Sequence, residues 1–406
     1  MPNTILVPDQ VAIESLMHFE NELVAAKIFS NQWEEKFGRD GAKIGDTCRL
    51  RKPVNFTVRE GQKFTAQNIE ESSESLKLDI PLGVDFTLGR NELSLSFDRL
   101  SERYFKPAMR RLANDVDRRI LGLYKKVPNA VGTYNTAPTA ITTFLSAKAK
   151  LDNLGIPDDE RHFILDPTTE TTIVGNLTTV FQAVPEVGRQ YMKGGMGKAI
   201  DAVWHKSQNV NTHTVGALGG TPVVKGANQT GATLLVDGWT ASVAKCLLEG
   251  DIITAADVNA VNPLTGQDTG ELRQFTVTAD QDSDASGEIT IPIWPSIVTS
   301  GAYKTCTASP LNDAIVLIHG SASAYQNVVA KQPLYAHPEA FTYAIAPQEI
   351  PQGVHMAAMK SDPDSGLGIS VVMDYDIDDN LFKVRFDILL GLLAQLPDFA
   401  CRVYTS

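Results

Sequence analysis

Residues 194–198, GGMGK, are the segment of this chain closest to a phosphate-binding loop. A P-loop carries a glycine five positions before its Gly-Lys pair and a Ser or Thr directly after it. This chain has Met192 and Ala199 at those positions. We therefore interpret the segment as a flexible hinge or loop, and we expect no nucleotide or other cofactor.

Two groups of aspartates have spacings that suit cation binding or subunit contact. Asp280, Asp282 and Asp284 match the first ligands of an EF-hand, but the twelfth position is Ile291 and no glycine follows Asp284. An acidic turn between two strands is the preferred interpretation, with an adventitious cation as the alternative. Asp374, Asp376 and Asp378 alternate, which predicts one face of a strand. That face is expected to be solvated, with a subunit contact or a cation as the alternatives.

Nucleophilic and metal-binding motifs are not indicated by the remaining residues. His319 to Ser323 lacks the G-x-S-x-G of a nucleophile elbow, and the seven histidines show no H-x-x-x-H spacing. The four cysteines are far apart, which predicts separate reduced thiols in or near cores. We expect no catalytic residue, no metal site and no enzyme activity.

The net charge is −12 and 21% of the residues are charged. This balance argues against a protein that tracks nucleic acid over most of its surface, so any such contact should be local. The sequence has no apolar run of about 18 residues and no basic, apolar start typical of a signal peptide. We expect a protein made and kept in the cytosol, without a membrane partner.

The chain is predicted to be organised around a helix in residues 93–127. Pro107 predicts a kink, or a short helix followed by a longer one with Pro107 in its first turn, and Pro128 predicts the end. An apolar stripe is formed by Phe97, Leu100, Tyr104, Met109, Leu112, Val116, Ile120 and Leu123. The basic residues are Arg103, Arg110, Arg111, Arg118, Arg119, Lys125 and Lys126. They are expected to form salt bridges to acidic segments, or else to contact packed nucleic acid.

Two acidic segments precede this helix. Residues 9–37 have a narrow apolar stripe, which predicts a helical arm capped by Asp9 that lies on its own domain or on a neighbouring chain. Residues 48–80 alternate in two stretches, which predicts a two-stranded ribbon with a polar tip, QNIEESSES. Such a ribbon is marginally stable alone and should lie against a partner surface. The acidic residues of interest are Glu14, Glu20 and Glu22 in the arm and Glu70 and Glu71 in the tip.

The rest of the chain predicts an α+β protein with an inserted all-β module. Residues 216–325 contain short strands at roughly ten-residue spacing, typical of a barrel. Before the module we expect a loop at 128–138, helices at 139–154 and at 168–176 capped by Thr168, a strand at 162–165 and irregular chain at 188–211. After it we expect a strand at 341–350, a hairpin at 368–390 closed around Asp378, Asp379 and Asn380, and a buried strand ending near Val403.

Several separated blocks resemble the major capsid proteins of tailed bacteriophages, and most closely the coat-protein family of phage P22. They are the acidic arm, the ribbon, SFDRLSERYFKPAMRRLAND, DYDIDDNLFKVRFDILLG and PDFACRV. The all-β stretch carrying GDIITAADVNAVNPLTGQDTGELRQFTVTAD resembles the insertion domain that marks this branch.

The resemblance implies the capsid fold named after phage HK97. It divides the chain into an N-terminal arm (1–46), an extended loop (47–82), a peripheral domain with the spine helix (83–154), an axial domain (155–217), an inserted β domain (218–325) and return strands (326–406). No motif for covalent crosslinking is present.

The implied function is self-assembly, as hexamers and pentamers, into the icosahedral head shell around double-stranded DNA. A scaffolding protein, a portal and weak non-specific DNA contact are implied as partners, with assembly in the host bacterial cytoplasm. The expected assembly contacts are Glu14, Glu20, Glu22, Glu70, Glu71, Arg110, Arg118, Asp374 and Asp376. The alternative is a β-rich structural or binding protein of another assembly.

Overall fold

The computed structural model describes residues 7–32, 41–56, 61–62, 64, 66, 71–89, 97–177, 197–321, 324–350, 353–354, 356–378 and 380–405. The described helices and strands are as follows in chain order. The helices are α1 (Pro8–Glu22), α2 (Phe97–Leu100), α3 (Lys106–Leu121), α4 (Thr142–Asn153) and α5 (Pro167–Leu177). The strands are β1 (Ser30–Asn31), β2 (Thr47–Arg51), β3 (Ser73–Gly89), β4 (Asn129–Val131), β5 (Arg161–Leu165), β6 (Lys198–Ala199), β7 (Ala202–Lys206), β8 (Thr212–Thr214), β9 (Gly220–Val224), β10 (Gly231–Trp239), β11 (Ile252–Val261), β12 (Asp268–Val277), β13 (Ile289–Ile297), β14 (Val316–Ile318), β15 (Val329–Lys331), β16 (Leu334–Ala336), β17 (Thr342–Ala346), β18 (Met356–Asp362), β19 (Leu367–Asp376), β20 (Leu381–Leu393) and β21 (Ala400–Val403).

The chain divides into two compact units. The first unit comprises residues 1–52, 72–120 and 341–395, and the second comprises 53–71, 121–340 and 396–406. No described helix is long and apolar enough to cross a membrane.

The first unit is built on a sheet whose central strand is β20. One edge of β20 pairs with β3 along most of its length, and the other edge pairs first with β19 and then with β17. Strand β2 pairs with the start of β3, from Thr47 opposite Lys77 to Arg51 opposite Ser73. The predicted ribbon is therefore confirmed at its base. Its second strand runs on into the main sheet, so the ribbon is supported by its own chain.

The central helix is interrupted as its proline predicts. Helix α2 is followed by a π-helical turn at Ser101–Phe105, and α3 then begins with Pro107 as its second residue. The Lys106 amide donates to the Ser101 carbonyl in the π-helical pattern, so Pro107 falls where the α-helical hydrogen-bond pattern is already interrupted. Met109, Leu112, Val116 and Ile120 are buried. A 3₁₀ turn ends at Lys126, just before Pro128, so this prediction is confirmed.

The second unit contains two sheets and a small pair of strands. One sheet has the order β4-β21-β16-β5-β7-β6, and β8 pairs with β15. The other has the order β14-β11-β12-β13-β10-β9. A bridge between Val223 and Ile315, with the Val224 amide donating to the Ala314 carbonyl at 2.9 Å, joins its two ends. This closure confirms the predicted barrel.

The barrel core is continuous with side chains from outside the barrel. Ala130, Tyr134, Val215 and Tyr404 belong to the same buried cluster as the barrel strands. The inserted strands therefore share their core with chain segments that come before and after them.

The arm prediction was wrong in its length and its cap. Helix α1 ends at Glu22, because Leu23 has extended dihedral angles, and its N-cap is Val7 without a side-chain hydrogen bond. Asp9 lies in the first turn. Residues 33–37 of the predicted helix lie outside the described residues.

Three predictions of where elements begin, end or occur were wrong. In each case a single residue or a strand distant in the sequence determines the local structure. The first ribbon strand ends at Arg51, since Pro53 has no amide to continue the ladder. Helix α5 is capped by Asp166, whose Oδ2 accepts hydrogen bonds from the amides of Thr168 (3.1 Å) and Thr169 (3.3 Å). The predicted loop at 128–138 contains β4, which pairs with β21.

The segment at 188–211 is not irregular in its described part. It contains β6 and β7, and β7 pairs in parallel with β5. Residues 188–196, including most of GGMGK, lie outside the described residues. The predicted helix at 139–154, the strand at 162–165, the strand at 341–350, the C-terminal hairpin and the buried last strand are confirmed, each with shifted ends.

Candidate assembly surfaces and a buried polar centre

The N-terminal arm packs on its own unit. Val11, Leu16 and Phe19 are buried where α1 lies against β18 and β19. The carboxylate of Asp117 in α3 accepts hydrogen bonds from the backbone amides of Val24 at 2.8 Å and Ala26 at 3.0 Å. Burial raises the pKa of Asp117, although the amides oppose that shift.

The three arm glutamates have different surroundings. Glu14 Oε1 accepts a hydrogen bond from the Ser101 hydroxyl at 3.0 Å and lies 3.4 Å from His18 Nε2. Glu22 forms an ion pair with Arg110, with 3.5 Å between Oε2 and Nε. No ion pair joins Glu20 to another described residue. The predicted salt bridge between the central helix and the arm is therefore found at Arg110.

The other expected contacts lie apart from the arm. Arg118 Nη2 is 2.6 Å and Arg119 Nε 2.7 Å from the Asp115 carboxylate, within the same helix. Burial alone would raise the pKa of Asp115, but the hydrogen bonds from these two arginines outweigh it and hold that pKa below its usual value. Glu71 is exposed in the ribbon tip, and Glu70 lies outside the described residues.

The β19–β20 hairpin carries Asp374 and Asp376. Asp374 lies opposite Lys383, and Lys383 Nζ is 2.6 Å from Asp376 Oδ2. The expectation that Asp378 shares their strand face was wrong, because β19 ends at Asp376 and the Asp378 amide donates back to Asp376 Oδ1 at 3.0 Å. Ile377 at the hairpin tip is 81% exposed.

The aspartates at 280, 282 and 284 accept hydrogen bonds from backbone amides. Asp280 accepts from Glu249, Asp282 from Lys245, and Asp284 from Ser286 and Glu288. Asp280 and Asp282 thereby hold the loop between β10 and β11, and Asp284 holds its own turn between β12 and β13, which agrees with the predicted acidic turn between two strands.

A buried polar centre in the second unit was not predicted from the sequence. His213 Nε2 lies 2.9 Å and His319 Nε2 lies 3.3 Å from Asp251 Oδ1, and all three side chains are buried. Asp251 Oδ2 accepts hydrogen bonds from the amides of Leu248 (2.8 Å) and Gly216 (3.1 Å). The three residues come from distant segments, so their spacing along the chain carried no signal.

Two tyrosine hydroxyl groups contact the ring nitrogens of His213 and His319 that face away from Asp251. Tyr124 Oη is 3.2 Å from His213 Nδ1, and Tyr404 Oη is 2.9 Å from His319 Nδ1. Burial lowers the pKa of both histidines, with Asp251 opposing the shift. Burial alone would raise the pKa of Asp251, but the hydrogen bonds from His213 and His319 outweigh it and keep the carboxylate ionised.

Arg402 on β21 is fully buried beside this centre. Its guanidinium donates to the carbonyl oxygens of Gly250, at 2.6 Å, and Val127, at 2.9 Å from Nε. These bonds tie the C-terminal strand to the barrel and to the end of the central helix. The four cysteines, all among the described residues, are buried and form no disulfide with one another, as predicted. Burial raises the pKa of the Cys246 and Cys401 thiols to about 12.

Comparison with known proteins identifies the family. The model of the P22 coat protein family (P22 coat protein, gene protein 5) matches residues 19–402. Comparison with curated protein sequences gives no match.

Among solved structures, Mycobacterium phage Che8 is 12% identical, with 94% of this chain and 90% of that chain covered and a TM-score of 0.49. The mature capsid of bacteriophage PhiM1 is 10% identical, with 95% and 87% covered and a TM-score of 0.44. The capsid of Ralstonia phage GP4 is 9% identical, with 96% and 91% covered and a TM-score of 0.40.

The family match, rather than these distant structures, identifies the chain. An α+β chain with an inserted barrel and a match over nearly all of its length defines a phage coat protein, and the chain belongs to the P22 coat protein family. It is a major capsid protein that forms the shell of the phage head.

Proposed function

We propose that copies of this chain assemble as hexamers and pentamers into an icosahedral shell around double-stranded DNA, without catalytic turnover. The observation that carries the proposal is the exposure of large apolar side chains in three separate segments of the chain. Phe64, between β2 and β3 in the sequence, is 82% exposed, Ile377 at the hairpin tip is 81% exposed, and Met17 on the outer face of α1 is 55% exposed. Exposed apolar groups at such positions are suited to burial against other subunits.

The division of the chain into roles follows the family. Residues 1–46 act as the arm, 47–82 as the extended loop and 83–154 as the peripheral domain with the spine helix. Residues 155–217 form the axial domain, 218–325 the inserted domain and 326–406 the return strands. The sharing of one buried core between the barrel and Tyr134 and Tyr404 supports an inserted domain that stabilises its own subunit.

The arm is the proposed binding site for a basic segment of a scaffolding protein. Glu14 and Glu22 are engaged within the subunit, whereas no ion pair joins Glu20 to the rest of the described chain. Glu20 therefore offers its charge to a partner at the lowest structural cost. Ion pairs of this kind set the partner and the association rate more than the affinity.

Charge reversal tests this contact. Glu20→Lys should slow scaffold-dependent assembly, measured by light scattering, and salt should reduce the difference from the wild type. Asp158→Lys is the matched control, because Asp158 is an exposed acid outside the arm. Unchanged assembly of the Glu20 variant would count against the site.

Packaged DNA is proposed to meet the shell by weak, non-specific contact. Arg103, Lys106 and Arg111 are exposed on the central helix, while the chain as a whole carries a net charge of −12. A local basic patch on an acidic protein permits contact without strong retention of the genome. Replacement of all three by Gln should change DNA packaging without changing the yield of empty shells.

A portal partner and assembly in the bacterial cytoplasm complete the proposal. Electron microscopy of the purified chain mixed with its scaffold tests whether the chain forms a shell. Uniform hollow shells are the expected result.

A further inference from the structure

The centre formed by His213, Asp251 and His319 has the donor set of a metal site. We propose that it binds one divalent first-row metal ion, of which Zn²⁺ suits the donors best, through His213 Nε2, His319 Nε2 and Asp251 Oδ1. Two imidazoles and one carboxylate are common zinc ligands, and a water molecule would complete four-coordination. The inference goes beyond shell formation and does not depend on it.

The distances between the donor atoms fit a single ion. The two Nε2 atoms lie 2.9 and 3.3 Å from Asp251 Oδ1, and all three donors lie within 4.8 Å of one another. Ligands at about 2.0–2.1 Å from a tetrahedral ion are about 3.3 Å apart. The two separations from Asp251 Oδ1 are therefore already close to those that coordination requires, and the two histidine nitrogens lie within 4.8 Å of each other.

Each donor is oriented by a partner on its far side. The second ring nitrogen of each histidine meets a tyrosine hydroxyl, at Tyr124 or Tyr404, and the second oxygen of Asp251 is held by two backbone amides. Such outer contacts fix ring orientation and tautomer in protein metal sites. The atoms left over are the three that converge.

The hydrogen-bond partners of Tyr124 permit the His213 tautomer that a metal ion requires. Tyr124 Oη also lies 3.2 Å from the Thr212 carbonyl oxygen, which can only accept a hydrogen bond. When the single hydroxyl proton is donated there, the oxygen accepts from His213 Nδ1–H. In the metal-bound form His213 Nε2, which donates a hydrogen bond to Asp251 when no ion is present, would then direct its lone pair at the ion.

The site would join segments that are distant in the sequence. His213 lies on β8, Asp251 precedes β11 and His319 follows β14. A bound ion would therefore hold two barrel strands to a strand outside the barrel. Its binding free energy would add to the stability of the folded chain, since the unfolded chain has no assembled site.

The test measures metal in the full-length chain. Wild-type protein folded with Zn²⁺ and dialysed into metal-free buffer should retain one zinc per chain by elemental analysis. X-ray absorption at the zinc edge should show imidazole ligands, and Co²⁺ in place of zinc should give the visible absorption of a four-coordinate site. Removal of the ion with a chelator should lower the thermal unfolding midpoint.

Variants locate the ion. Asp251→Asn and His319→Gln should lose the metal and the effect of the chelator. His205→Gln is the matched control and should keep both, because His205 pairs with His162 instead of this centre. If the cluster variants do not fold, the wild-type zinc-edge and cobalt spectra decide.

Two results would overturn the proposal. One is folded wild-type protein without metal, without a cobalt spectrum and without a response to the chelator, which would mean that protons alone fill the centre. The other is full metal content in both cluster variants.

Discussion

The carboxylate of Asp117, on the central helix, accepts a hydrogen bond from the backbone amide of Val24 at 2.8 Å. A second bond, from the amide of Ala26, makes this side chain an anchor for the chain that follows α1. The arm is thereby fixed at its end to the helix on which the first unit is built.

Asp117→Asn should loosen the arm. An asparagine keeps the shape, but its one oxygen cannot serve both amides as well as a carboxylate does. A buried donor without a partner costs about 1–3 kcal/mol. The free energy of urea unfolding should fall by about that amount, and amide exchange in residues 7–32 should accelerate.

The matched control for this prediction is Asp115→Asn. Asp115 lies on the same helix, and its carboxylate pairs with the exposed side chains of Arg118 and Arg119. Surface ion pairs contribute about 0–1 kcal/mol. Equal effects of the two variants would contradict the anchoring role of Asp117.

Arg402→Met should destabilise the second unit more than any surface charge change. The guanidinium is fully buried and donates to Val127, Gly250 and Thr276. Its loss leaves buried carbonyl groups without donors, and disruption of a buried charged network costs about 3–5 kcal/mol. Arg385→Met, at a side chain 58% exposed, is the control for thermal unfolding. A shift no larger than the control's would show that the Arg402 network is dispensable.

The stability of the second unit should fall as the pH is lowered from 6.5 to about 4. Burial, with smaller contributions from His205 and His337, lowers the pKa of His162 from 6.5 to about 4. Across that interval the unfolded chain binds a proton at His162 and the folded chain does not, so protonation favours unfolding. His162→Gln should flatten the pH dependence of urea unfolding in this window. An identical pH profile for the variant would contradict the assignment.

Ile377→Lys should impair assembly and leave the subunit folded. The side chain is 81% exposed at the tip of the β19–β20 hairpin, so the substitution removes little intramolecular contact. A charge there opposes burial against another subunit. Circular dichroism and the unfolding midpoint of the monomer should match the wild type, while the yield of shells falls. A normal yield would exclude the hairpin tip from the contacts.

Local pattern and chain-breaking residues were enough to predict most elements. Pro107 predicts the interruption of the central helix and Pro128 predicts its end, because proline acts within one turn of its own position. The β-branched strands and turns of residues 216–325 predicted the barrel, because alternation and turn spacing are local properties. The buried stripe through Met109, Leu112 and Val116 was likewise visible in the sequence.

The misplaced features depend on residues far away in the sequence. The arm helix stops at Glu22 and the following amides are taken up by Asp117, which is more than ninety positions later. Strand β4 exists because β21 lies beside it near the C-terminus. The centre at Asp251 needs the closed barrel before His213 and His319 can meet, so no sequence spacing could reveal it.

Assembly itself is the most direct test of the account. The purified full-length chain, mixed with its scaffolding partner at increasing concentration, can be followed by sedimentation and electron microscopy. Closed hollow shells of uniform diameter are predicted, with pentamers or hexamers as the smaller species. A folded chain that stays monomeric at every concentration, with and without the scaffold, would contradict it.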